Sequence, residues 1–372
     1  PTTDYTTDQP SENFTLDGTV TSGNTSNTHP SGTGTITDND DAQTVTIRDE
    51  VETEGDDIVF DVELSNPTTT DVVVDVVTTT GTAGADDYTE TTTTVTIPAG
   101  STSVTVTVPT TEDTTDEPDE SFTLDGTVTS GNTSNTDPSG TGTILDDDGA
   151  PTVTIGDVVV EEGNDAVFDV ELSNPTTTDV VVDVVTTTGT AGTDDYTETI
   201  TTVTIPAGST SVTVTVPTTD DTTDEPSENF TLDGTVTSGN TSNTDPSGTG
   251  TITDNDDAPT VTISDEVETE GDDIVFDVEL SNPTTTDVVV DVVTTTGTAG
   301  ADDYTETITT VTIPAGSTSV TVTVPTTDDT TDEPDESFTL DGTVTSGNTS
   351  NTDPSGTGTI LDDDGAPTVT IG

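Results

Sequence analysis

Apolar and polar residues alternate along most of this chain. In "IVFDVEL" (58–64) the residues Ile58, Phe60, Val62 and Leu64 share one parity, and "TSVTVTV" (102–108) alternates in the same way. A period of two in segments rich in Val, Ile and Thr is the signature of strands with one buried face. Between residues 43 and 150 the pattern predicts seven strands, near 44–53, 58–64, 71–78, 91–97, 102–108, 121–128 and 140–145. Gly and Pro fall between these runs, where turns belong. Seven short strands in about 100 residues predict an antiparallel two-sheet sandwich of the Ig-like kind. Its core is expected to set Ile58, Phe60, Val62 and Leu64 against Val104, Val106, Val108, Phe122 and Leu124.

The pattern repeats. Phe14, Phe122, Phe230 and Phe338 are 108 residues apart, as are Phe60, Phe168 and Phe276. A unit of that length suffices for one core. Three complete repeats are expected at 43–150, 151–258 and 259–366, preceded by the end of another at 1–42. Residues 367–372 ("PTVTIG") would be the first strand of a following repeat, so a longer parent chain is expected. Residues 1–156 match 217–372 at all but seven positions, so two repeat variants alternate.

Composition narrows the chemistry. Asp and Glu number 76 against a single Lys or Arg, for a formal net charge of −75. Such a polyanion excludes nucleic acid and anionic membranes as electrostatic partners. With no Cys there is no disulfide framework, zinc thiolate or thiol nucleophile. No apolar run approaches the roughly 18 residues of a bilayer span, so no membrane insertion is expected in this segment.

The acids are not evenly spread. If successive strands run antiparallel, "EGDD" (54–57), "TGTAGADD" (80–87), "TTEDTTDEPDE" (110–120) and "DDD" (146–148) share one pole and carry fourteen carboxylates. The opposite pole, at 65–70, 98–102 and 129–139, carries one. Anions gathered without Lys or Arg repel one another unless cations bind between them. Calcium, with six to eight oxygen ligands in flexible cages, suits such a pole. Magnesium wants a stricter octahedron, and zinc prefers His or Cys. The plainer alternative is an acidic surface adapted to high salt.

The stretches "VTI" (45–47), "EG" (54–55), "GTAGADDYT" (81–89), "VTIPAGSTSVTVTV" (95–108), "EDTTDEPDESF" (112–122) and "GTGTILDDD" (140–148) cover the repeat in order and resemble the Calx-beta domain. That resemblance implies a calcium-binding sandwich, with several ions per repeat. It implies ligands at Glu54, Asp87, Glu112, Asp113, Glu117, Asp146, Asp147 and Asp148. In the second repeat the matching acids are Glu162, Asp195, Asp220, Asp221, Glu225, Asp254, Asp256 and Asp257, with Asn255 inside the final run. In the third they are Glu270, Asp303, Asp328, Asp329, Glu333, Asp362, Asp363 and Asp364. Residues 1–42 depart, with Tyr5 and Gln9 where Asp221 and Glu225 stand later. The stretch "TDNDDAPTVTI" (253–263) also resembles the acidic linker of cadherin repeats, another calcium-binding junction.

No catalytic activity is expected. The lone His29 stands where other copies have Asp, and Arg48 stands where Ser264 does. The expected function is structural: a calcium-stiffened, rod-like segment of a secreted surface filament or adhesin stalk, with neighbouring repeats as its partners. Its localisation would be extracellular. Two alternatives are a polymer of short subunits, copies joined in a fibre by strand donation, and a calcium-sensing regulatory module. Charge beyond what ions neutralise needs screening, which suits a salt-loving source. Sequons at Asn13, Asn24, Asn132, Asn229, Asn240 and Asn348 are candidate glycosylation sites in a secreted protein.

Overall fold

The computed structural model describes residues 2–3 and 9–370. It is all-β, with sandwich-like units repeated in tandem. Two strands come first, β1 (Glu12–Asp17) and β2 (Ser31–Ile36), paired antiparallel. The first full set follows: β3 (Val45–Ile47), β4 (Glu50–Thr53), β5 (Ile58–Leu64), β6 (Val72–Thr80), β7 (Thr92–Ile97), β8 (Ser103–Val108), β9 (Glu120–Ser130) and β10 (Ser139–Leu145). The same eight strands recur from β11 (Val153–Ile155) to β18 (Ser247–Thr253), and from β19 (Val261–Ile263) to β26 (Ser355–Leu361).

Each set makes two layers, a three-stranded sheet in the order β3-β5-β8 and a five-stranded sheet in the order β4-β10-β9-β6-β7. Alternation buries one face of each. Ile58, Phe60, Val62 and Leu64 of β5 are all 5% exposed or less, whereas Val59 between them is 45% exposed. This corrects the expected core in one respect. Val104, Val106 and Val108 pair with β5 in its own sheet rather than facing it. The opposing layer is supplied by Val72, Val74 and Val76 of β6 with Phe122 and Leu124 of β9.

The expected first strand (44–53) is also corrected. It divides after Ile47, and its two halves belong to different sheets. The first half pairs antiparallel with β5, and the second pairs parallel with β10. At the break, the Asp49 carboxylate accepts the Thr141 N–H at 2.7 Å, and Asp157 and Asp265 accept the N–H groups of Thr249 and Thr357 at the same distance. The side chain substitutes for a ladder bond at the crossover.

Three aromatic rings centre the core. Phe60 meets Phe122 edge-on with centroids 5.9 Å apart, and Tyr88 stacks on Phe122 at 4.2 Å. Gly142 of β10 lies directly over them. A Cβ there would come within 2.8 Å of Phe122 Cζ and 2.9 Å of Phe60 Cζ, so the Gly of "GTGT" is a packing requirement. Residues 367–370 of the expected following strand form no strand, and 371–372 lie outside the described residues, as does Tyr5. Among the described residues no helix is long and apolar enough to cross a membrane.

Candidate metal centre

The turn between β4 and β5 begins the site. Gly55 has φ of +76°, which L side chains rarely adopt, and a Cβ there would run into Glu112. Gly163 (φ +77°) lies against Asp220, and Gly271 (φ +82°) against Asp328. The Gly of "EG" thus lets the β8–β9 loop close over the preceding Glu.

That Glu is buried: Glu54 is 8% exposed and Glu162 7%. Around Glu54 the carboxylates assemble in two groups that share it, Glu54 with Asp113 and Asp148, and Glu54 with Glu112 and Asp147. Asp87, Glu117 and Glu120 form a further group. Within each group one oxygen per residue lies within 4.8 Å of the others. Oxygens on one calcium ion, each at about 2.3–2.6 Å, lie no more than about 5 Å apart, so these spacings fit a shared cation.

Hydrogen bonds hold individual ligand candidates in place. Asp87 Oδ2 accepts the Gly84 N–H at 2.5 Å, Asp113 Oδ1 accepts that of Thr115 at 2.6 Å, and Asp146 Oδ1 accepts that of Glu117 at 3.3 Å. Other oxygens have no partner. Glu54 Oε1 and Asp148 Oδ2 are buried without a hydrogen bond, as are Asp254 Oδ1, Asp256 Oδ2, Asp362 Oδ1 and Asp364 Oδ2. A buried carboxylate oxygen with no donor is costly, and a cation is the partner that its chemistry lacks.

The electrostatics agree. Burial, reinforced by Asp113, Asp146, Asp148 and Glu112, pushes the Glu54 carboxyl up to about 7. Burial together with Asp87 does the same to Glu120, also to about 7. Glu117 is pushed up by burial and then by Asp113 and Asp87.

The second repeat rebuilds the pole with Glu162, Asp221 and Asp256, and with Asp195, Glu225 and Glu228. Glu225 and Glu228 are each raised to about 7, chiefly by burial and then by Asp195. Asp220 accepts a 3.4 Å bond from Asn255 Nδ2. Asp254 is raised by burial. Asp257 occupies the linker position of Gly149; it is exposed, and its carbonyl accepts Asn282 Nδ2 at 3.1 Å. In the third repeat Glu270 accepts the Asp363 N–H at 3.3 Å, Asp303 that of Gly300 at 2.7 Å, and Asp329 that of Thr331 at 2.7 Å. Asp328 lies against Gly271, and Glu333 is raised by burial and by Asp329.

Glu120 and Glu228 are additions to the ligand set read from sequence. Strand period carried the signal: Glu120 stands two residues before Phe122, so both point to the same inward face.

The sequons divide by location. Asn13 on β1 accepts a bond from Thr35 Oγ1 at 2.7 Å, and Asn229 lies on β17 (Glu228–Ser238). Asn24, Asn132, Asn240 and Asn348 lie in the loops that follow β1, β9 and their counterparts.

A family model described as the Calx-beta domain matches residues 38–157, 146–267 and 254–365. No curated protein matches the chain. Among solved structures, the chain is similar to the crystal structure of CBD12 from CALX1.2, at 16% identity over 53% of this chain and 83% of that one, with a TM-score of 0.26. It is similar to the apo-form Calx CBD1 domain at 19% identity, over 29% of this chain and 100% of that one, with a TM-score of 0.26. Activated Escherichia coli alpha-2-macroglobulin matches at 9% identity, over 90% of this chain and 34% of that one, with a TM-score of 0.21.

Proposed function

This chain belongs to the Calx-beta domain family, and from that premise we propose that each repeat holds calcium at its acidic pole and that the tandem array is a calcium-braced structural segment of an extracellular surface protein. The observation that carries the reading is the Glu54–Asp113–Asp148 group, in which two buried carboxylate oxygens, Glu54 Oε1 and Asp148 Oδ2, lack any donor. Glu54, Asp113 and Asp148 would hold one ion, and Glu112 and Asp147 would share Glu54 with a second. Asp87, Glu117 and Glu120 would take a third. Calcium supplies charge neutralisation here and no chemistry. Its effect is to hold the β8–β9 loop and the segment after β10 against the β4–β5 turn.

The structural role follows from repetition and charge. A sensor needs a distinct site coupled to an output, whereas these repeats rebuild one acidic pole three times with only a few exchanged side chains. A chain at −75 also gains most from ions where its loops converge. Isothermal titration of the full chain with calcium at pH 8 tests the reading. Saturable binding of more than one ion per repeat is the expected result, abolished by pre-saturation with calcium and untouched by equal ionic strength of sodium. Weak, non-saturating binding that sodium removes would reduce the pole to a solvated acidic surface.

A further inference from the structure

Consecutive repeats meet through a polar joint that uses no cation. Asn240, in the loop after β17 of the second repeat, turns its side-chain amide onto Asp116, 124 residues earlier in the first. The Nδ2 atom donates to Oδ2 at 2.8 Å and to Oδ1 at 3.1 Å. The backbone of Asp116 is gripped as well. Its N–H donates to the Pro175 carbonyl at 3.0 Å, and its carbonyl accepts the Thr177 N–H at 3.4 Å. Asp116 and Thr176 thereby form a parallel bridge across the junction.

The next junction repeats this arrangement. Asn348 Nδ2 donates to Asp224 at 2.9 and 3.1 Å, the Asp224 N–H donates to Pro283 at 3.0 Å, and Asp224 bridges Thr284. The linkers between the repeats differ, "LDDDGAP" (145–151) in one and "TDNDDAP" (253–259) in the other. The joint is therefore a property of the repeat bodies rather than of one linker sequence.

Composition explains the choice of donor. With one Lys or Arg in 372 residues, the chain cannot meet a junction carboxylate with a cationic side chain. A primary amide is the strongest fixed donor left, and a bond to a charged acceptor outweighs a neutral one. Asn240 and Asn348 are also the first residues of Asn-Thr-Ser sequons, and the third residue is engaged too. Ser242 Oγ lies 3.2 Å from the Pro151 carbonyl and 2.8 Å from Thr152 Oγ1, and Ser350 does the same with Pro259 and Thr260. The amide nitrogen and the hydroxyl that define a glycan acceptor are both taken in the jointed array.

We propose that Asn240 and Asn348 are the receptor residues of an inter-repeat joint, each capturing an aspartate of the repeat before it, and that this capture and N-glycosylation exclude each other at these residues. The joint itself needs no ion, because Asp116 and Asp224 reach the next repeat directly, although each sits beside a candidate calcium ligand, Glu117 or Glu225.

Backbone amide exchange on the full chain tests the capture, with the double variant Asn240→Asp and Asn348→Asp measured in calcium and in chelator. A second carboxylate facing Asp116 or Asp224 replaces attraction by repulsion. Exchange at the N–H groups of Asp116 and Asp224 is expected to quicken at least tenfold in both conditions, on the scale of a lost charge-assisted bond. Amides of β6 and β9 should stay protected, which shows that the domains remain folded. Unchanged exchange at Asp116 and Asp224 with that protection intact would overturn the joint, whatever the calcium titration shows. For the exclusion, the full chain and its Asp116→Ala, Asp224→Ala variant are given to an oligosaccharyltransferase with its lipid-linked donor. Peptide masses are expected to show at least tenfold higher occupancy of Asn240 and Asn348 in the variant. Equal occupancy would overturn the exclusion.

Discussion

The acidic poles of the first two complete repeats are built on one plan and differ at two positions that matter. Where the first has Glu112 and Asp147, the second has Asp220 and Asn255. In the first, Asp147 joins Glu54 and Glu112 as another carboxylate. In the second, Asn255 acts as a donor: its Nδ2 reaches the Glu162 carbonyl at 3.3 Å and Asp220 at 3.4 Å, and its N–H reaches Glu162 Oε1 at 3.3 Å. The electrostatics respond. Every influence on Glu54 raises it, beginning with burial, whereas burial of Glu162 is opposed by the Asn255 N–H. The first pole depends more heavily on a cation, and the second supplies part of the compensation from its own backbone and amide.

The largest effect that can sharpen this contrast is removal of calcium at different pH values. Without the ion, Glu54 and Glu120 in the first repeat, and Glu225 and Glu228 in the second, have folded values of about 7 against 4.5 unperturbed. For carboxyls raised on folding, the stabilisation is fully present below 4.5 and is lost as pH rises through about 7. Chelated protein should therefore melt at progressively lower temperature from pH 4.5 to 8. Calcium requires the deprotonated form, so its stabilisation should grow over the same interval. At about 1,000 times its Kd one ion adds about 4 kcal/mol, or about 15 °C in a domain of this size. A melting temperature that fell equally with pH in calcium and in chelator would break the account.

Next in size is loss of the shared buried carboxylate. Glu54→Gln should remove two ions from the first repeat, since two groups share Glu54, and should weaken calcium binding there at least tenfold. Glu162→Gln should be the milder change, because the site loses less negative charge when part of it is already compensated. Calorimetric stoichiometry on the full chain separates the two variants. Equal losses would show that Asn255 has no bearing on the ion.

The smallest expected effect is the exchange of Asp147 and Asn255 themselves. Asp147→Asn should lower the calcium dependence of the first repeat by about 1 kcal/mol, the net worth of one hydrogen bond or exposed charge contact. Asn255→Asp should raise that of the second by a similar amount. If both substitutions shift the chelated melting temperature in the same direction, the two poles are not complementary variants of one design.

Much of this was legible in the residues. The period-two runs located the strands to within a few positions, because a buried face imposes its alternation on any strand that carries it. The gathering of acids at one pole also followed from strand count alone, since successive strands return loops to alternate ends. Glu120 was within reach by the same parity argument. The divided first strand was not, because Val45–Ile47 and Glu50–Thr53 read as one continuous run and the break depends on Asp49 meeting Thr141, 92 residues on.

The sequence by itself determined the 108-residue repeat, the all-β character and an anionic pole without cationic side chains to neutralise it. The first two are properties of composition and local period, and the pole needs only that successive strands run in alternate directions. Tertiary structure alone decided which sheet each half of the first strand joins, which oxygens at the pole are buried without donors, and that Asn240 meets Asp116. Each of these rests on contacts between segments apart in the chain, from Val45 with Leu64 to Asn240 with Asp116, or on the burial that such contacts create. Local pattern carries no information about them until two packed sheets and the following repeat fix the distances.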